Sequence, residues 1–228
     1  MRTTEREVFE AIRFLECNPE IAATPTVDSI LTIEPFRGRY CILEEGLDVK
    51  EVIDLRSAVD HLHSRLFSLS LEARPRAGLI HAALLRRESR RVLIAGSQGA
   101  GKTTLALHLV RAGYELEGDE HVFLDDDGVI ARPRACRVKE TSLALLPEAA
   151  EVIASAPVYV DDRGCTTFNV DPRMIGGSWR IEKGNVDCVI VLHPNHGGYS
   201  SLRHMPPMAV AQALISELGM REFGRVVP

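Results

Sequence analysis

Gly96-Ser97-Gln98-Gly99-Ala100-Gly101-Lys102-Thr103 is a complete GxxxxGK[ST] pattern, the spacing a backbone needs to wrap a phosphate chain. Gly96, Gly99 and Gly101 let the main chain turn its N–H groups inward without a side-chain clash. A helix starting at the end of the pattern adds its dipole and unpaired donors. Lys102 supplies a point charge that follows the β- and γ-phosphates, and Thr103 offers a hydroxyl to Mg²⁺. The expected nucleotide site runs from Gly96 to Thr104, with a purine nucleoside triphosphate, taken as ATP, and Mg²⁺ as its ligands. Nothing in the pattern chooses between ATP and GTP, or says where a phosphoryl group goes.

The next candidates are carboxylates. Asp119 and Glu120 follow closely behind a glycine-terminated helix and precede the apolar run Val122, Phe123, Leu124. At the end of a strand, two adjacent residues point to different sides, so one could hold Mg²⁺ while the other meets an attacking hydroxyl as general base. A solvated acidic turn is the competing account, and these residues alone do not separate the two. Asp125-Asp126-Asp127 runs into Gly128 and reads as a hairpin turn. His81, on an apolar stretch upstream, is by itself a hydrogen-bonded core histidine. His193-Pro-Asn-His196 precedes Gly197-Gly198 and reads as a loop rather than a metal site. Trp179 reads as packing.

These residues need a strand before the glycines and a helix after them. LIHAALL and VLIAG flank RRESRR, which predicts an antiparallel hairpin with a solvated arginine-rich tip feeding its second strand into Gly96. KTTLALHLVRAGY predicts a helix closed by Gly113. Helical spacing also marks residues 4–16 (up to the break at Asn18-Pro19), 47–70, much of 138–155, and 207–219. Short strands are expected between Thr26 and Leu43, a strand-and-loop region over 157–171, and a buried strand in DCVIVL at 187–192. No linker interrupts the chain. One domain is therefore expected over 1–228, with 1–77 packed as an N-terminal portion on a 78–228 core.

Composition narrows the classes. Lys plus Arg number 27 against 32 Asp plus Glu, a formal charge of −5, which leaves no nucleic-acid footprint. The five cysteines, Cys17, Cys41, Cys136, Cys165 and Cys188, contain no CxxC pair, against a disulfide scaffold or zinc ribbon. The charged N-terminus and the lack of a long apolar run predict neither a signal peptide nor a membrane helix, and a cytoplasmic protein.

The order His81-Ala82, hairpin, GSQGAGKTT, helix, Gly113-Tyr114-Glu115-Leu116, Asp119-Glu120 resembles the catalytic domain of bacterial HPr kinase/phosphorylase and its relatives, closely over residues 78–140. The resemblance implies an α/β fold of the HPr kinase and phosphoenolpyruvate carboxykinase type, a P-loop domain with a mixed sheet. It implies catalytic roles for His81, Lys102 and Asp119, with Asp119 as general base, and a metal role for Glu120, which stands where the family has a second Asp. Lys139, after a proline in RPRACRVK, is placed toward the nucleotide. The family's arginine signature has no match; Arg163, Arg173 and Arg180 are merely available cations. The implied activity is ATP-dependent phosphoryl transfer to a hydroxyl, a protein or peptide serine, with a small-molecule acceptor or a switch protein without phosphotransfer as alternatives. Homo-oligomers are common in that family.

Overall fold

The computed structural model describes residues 2–15, 30–44, 49–160, 164–176, 179–195 and 199–218. Cys17, the Asn18-Pro19 break, Arg163 and His196 lie outside them. The chain divides into two compact units, Met1–Arg76 and Ala77–Pro228.

In the first unit, β1 (Arg2–Thr3), β2 (Leu31–Phe36), β3 (Arg39–Glu44) and β4 (Lys50–Val52) form one sheet in that order, with α1 (Arg6–Ile12) and α2 (Leu55–Glu72). Apolar alternation in β2 buries Leu31 and Ile33. Pro35 lies inside β2, two residues beyond the part that β1 pairs, where no ladder bond to β1 needs its missing N–H. Residues 50–52, expected to be helical, instead pair with β3, and the helix begins only after Asp54, whose side chain accepts from Ser57 N–H at 2.7 Å. That N-cap, rather than the apolar spacing of Val52 and Ile53, sets the boundary.

The second unit carries the sequence motifs. Its central sheet has the order β14-β7-β6-β8: β6 (Ala82–Arg87), β7 (Arg90–Gly96), β8 (Glu115–Gly118) and β14 (Cys188–Leu192). β6 runs antiparallel to β7 and β8, whereas β14 runs parallel to β7, so the sheet is mixed. Two three-stranded sheets accompany it. One is β10-β9-β5, from β5 (Gly78–Ile80), β9 (Val122–Asp125) and β10 (Gly128–Ala131); the other is β11-β13-β12, from β11 (Cys136–Lys139), β12 (Val158–Val160) and β13 (Thr166–Val170). The helices are α3 (Lys102–Arg111), α4 (Ala150–Ala154) and α5 (Pro207–Ser216).

Several expectations change. LIHAALL is not one strand: it breaks at His81, and its halves β5 and β6 join different sheets. Val138 lies in β11, and only short 3-10 and α turns fill 140–154. β14 is a partly exposed edge strand rather than a buried one, which its all-apolar sequence concealed. Only part of the arginine run is the solvated tip expected: Arg87 and Arg90 are exposed, whereas Arg86 is half-buried and Arg91 buried. The turn is only Glu88-Ser89, so the strands continue through the arginines, setting Arg86 opposite Arg91. β8 brings the compensating carboxylates. Arg91 pairs with fully buried Glu117 and donates to Glu182 O at 2.6 Å, and Arg86 donates to Glu115 at 3.1 Å and to Glu182 at 2.8 Å.

One core holds this unit together. Ala83, Leu85 and Ile94 of the central sheet meet Ala106, Leu107 and Val110 of α3 and Val138, Phe168 and Val170 of the β11–β13 pair. Each large side chain removed from water there contributes about 1.5–3 kcal/mol. α3 turns the stripe Lys102, Ala106, Val110 inward at four-residue spacing. It ends as expected, with Gly113 N–H bonded to Val110 O and Tyr114 N–H to Leu109 O, both at 3.0 Å, in a Schellman arrangement.

Candidate functional site

β7 delivers the chain into the glycine-rich turn at the carboxyl edge of the central sheet, and α3 leaves it. Gly96 is required by close approach: a Cβ there would sit 2.8 Å from Leu192 O of the parallel neighbour β14. Gly101 caps α3 at φ +95°, a left-handed conformation that costs glycine little. Lys102 lies back along the turn, its Nζ donating to Gly96 O at 2.5 Å and Ser97 O at 3.1 Å. Burial holds its ammonium below the ordinary lysine range, opposed by Glu217, Asp119 and Glu120.

Asp119 and Glu120 do not end a strand. They form a bend between β8 and β9, with Glu120 at φ +82°, so strand alternation does not set their directions. They diverge nonetheless. Asp119 is 5% exposed and accepts from the Thr103 hydroxyl at 2.7 Å, while Glu120 pairs with Arg134. Burial pushes the Asp119 carboxyl up to about 6, with the Thr103 bond lowering it and Glu120 raising it. His81, at the β5–β6 break, is held below the usual imidazole range by burial and by Lys102, so it is neutral at pH 7. His121 is pushed down to about 4, first by burial.

The position of Asp119 rests on Gly118. A Cβ at Gly118 would lie 2.6 Å from Ala131 Cβ and 3.2 Å from Arg132 O. Gly118→Ala should therefore cost about 1–3 kcal/mol through overpacking, read as a lower urea midpoint at unchanged slope.

These groups line one cleft of about 380 Å³. It brings together His81, Gln98, Gly99, Gly101, Lys102, Thr103, Thr104, Asp119, Glu120 and Lys139, ten of the residues singled out in the sequence. Gly96, Ser97 and Ala100 shape the turn without lining it. Arg173 and Arg180 are held elsewhere, by Asp171 and Glu182. Trp179 packs, its Nε1 donating to Glu117 O at 3.3 Å. Further lining residues were not foreseen: Arg137, Thr141, Ser142, Tyr159 and Thr167 come from β11, β12, β13 and the turn after β11. Only long-range strand pairing assembles them, so local sequence carries no signal.

No three His, Cys, Asp or Glu side chains gather to form a metal cage among the described residues. The hydroxyl of Thr103 and the carboxylate of Asp119 are nevertheless hard oxygen donors side by side. The Thr103 oxygen suits Mg²⁺, which takes one or two protein oxygens and completes its shell with phosphate and water, and it can ligate the ion while its proton stays donated to Asp119. Glu120 would have to exchange its guanidinium for the ion.

No family model and no curated protein matches this chain. Among solved structures, the Hpr(Ser) kinase/phosphatase from Coxiella burnetii aligns with 56% of this chain at 21% identity and a TM-score of 0.31. The alignment covers 66% of that protein, just short of two-thirds of its length. No described helix is long and apolar enough to cross a membrane.

Proposed function

We propose that the chain is an ATP-dependent phosphotransferase of the HPr-kinase-like P-loop type, carrying the γ-phosphoryl group to a hydroxyl. The observation that carries the reading is the Thr103–Asp119 bond at the head of α3: a hydroxyl and a carboxylate meet where the glycine turn runs into the helix. The turn and Lys102 hold the phosphates, and Lys102 exchanges its carbonyl partners for phosphate oxygens. Bound Mg²⁺ would neutralise charge on those oxygens, with Thr103 and Glu120 as its protein ligands. Asp119, at about 6, is matched to take the acceptor proton near neutral pH. The acceptor oxygen forms the new P–O bond, its proton passes to Asp119, and the bond to the β-phosphate breaks with its electron pair leaving on ADP. Lys139 and neutral His81 complete the nucleotide site. The acceptor is a serine of a protein or peptide.

Transfer from γ-labelled ATP with Mg²⁺ into a source-cell lysate tests this. A labelled product that vanishes with Asp119→Asn and with Lys102→Ala, the latter also losing nucleotide affinity, supports it. Tight ATP binding without labelling refutes transfer and leaves a nucleotide-binding switch.

A further inference from the structure

One face of the small sheet β11-β13-β12 lines the same cleft as the glycine turn. Its other face, Cys136, Val138, Phe168 and Val170, is buried in the core. Strand alternation therefore turns Arg137, Lys139 and Thr167 the opposite way. The register places Lys139 opposite Thr167, and Thr167 opposite Tyr159, in a single row across the three strands. Thr167 Oγ1 donates to Tyr159 O at 3.2 Å, which ties the row together. The Arg137 guanidinium lies over the Tyr159 ring, 5.0 Å from its centroid.

A planar guanidinium set beside a phenol ring offers two groups of the kind on which a planar aromatic ligand stacks. The pair stands in the same cleft as Thr104 and the start of α3. The cleft is thus differentiated by element: its carboxylates, Asp119 and Glu120, come from the β8–β9 bend, and the cationic–aromatic pair from the β11-β13-β12 sheet.

We propose that Tyr159 and Arg137 form the nucleobase platform of this site, with Lys139 and Thr167 beside it toward the ribose and phosphates; this rests on the phosphate-binding reading of the glycine turn. Stacking accepts any base face, so the platform serves adenine and guanine alike.

Calorimetric titration of the full chain with Mg²⁺ and ATP, GTP or inorganic tripolyphosphate tests the platform. Tyr159→Ala should weaken ATP and GTP about tenfold or more while leaving tripolyphosphate unchanged. Tyr159→Phe should match wild type, and Arg137→Lys, which keeps the charge and loses the plane, should follow Tyr159→Ala. Unchanged ATP affinity in Tyr159→Ala, or an equal loss for tripolyphosphate, overturns the proposal. So does a wild-type chain that binds ATP no better than tripolyphosphate. Failure of the wild type to bind either overturns the phosphate reading as well.

Discussion

Asp119→Asn should melt several degrees above the wild-type chain in metal-free buffer at pH 7.5 while losing about 10²–10⁴-fold in phosphoryl transfer. The two effects share a cause. Asp119 is buried, and its carboxyl stands at about 6 against 3.8 for a free aspartate side chain. Between those values the folded chain retains a proton that the unfolded chain has released. Stability therefore falls as pH rises through that window, and by pH 7.5 the buried charge costs about 3 kcal/mol. Asparagine keeps an oxygen to accept from Thr103 and removes the charge. For a protein of this size each kcal/mol is worth about 2–4 °C. Thermal melts at pH 4.5 and 7.5 check the sign: the advantage of the variant should shrink at the lower pH. Nucleotide affinity should survive while turnover does not, which separates a lost base from a lost fold. An unchanged turnover would remove Asp119 from the chemistry.

Glu117→Ala is expected to be the most damaging single change in the second unit, costing about 3–5 kcal/mol. Glu117 is fully buried against Arg91, whose guanidinium also reaches Val129 O and Glu182 O. Removing the carboxylate leaves a guanidinium inside the fold without its counter-charge. Burial pushes the Glu117 carboxyl above its ordinary range, and the Arg91 bonds oppose that. The pair is a marginal contributor while intact and a large liability when halved. The double variant Arg91→Met/Glu117→Leu should accordingly recover most of the loss, because it removes both charges and leaves Arg86 its bonds to Glu115 and Glu182. Urea denaturation of the two single variants and the double one measures the coupling. Additive losses would show that the two side chains act independently.

These particulars explain what could be read in advance. The β7–turn–α3 segment is local: glycine spacing, an apolar run before it and helical periodicity after it all fall between residues 90 and 113, and Gly113 closes the helix as its position implied. Asp119 was recognisable by its place behind the helix, but its direction was not, because the bend and the left-handed Glu120 depart from strand alternation. Arg86 and Arg91 were misjudged for a different reason, while Arg87 and Arg90 are exposed as expected. A run of charges reads as solvated unless its partners are visible, and Glu117 and Glu182 lie 26 and 91 residues from Arg91. Tyr159 and Arg137 escaped notice likewise, since only the shared partner strand β13 sets them on one face.

The parallel neighbour of β7 sets a timetable for folding. Arg91 and Asp187 are 96 residues apart in the chain, and β14, which follows Asp187, supplies the Leu192 carbonyl packed against Gly96. The β6–β7 hairpin closes across a two-residue turn and can form as soon as it is synthesised. The free edge of β7 has no partner until residues 188–192 have emerged. High contact order is thus concentrated on the one strand that leads into the glycine turn, and a nascent chain that stops short of Leu192 carries the motif on an open sheet edge, exposed to pairing with other chains.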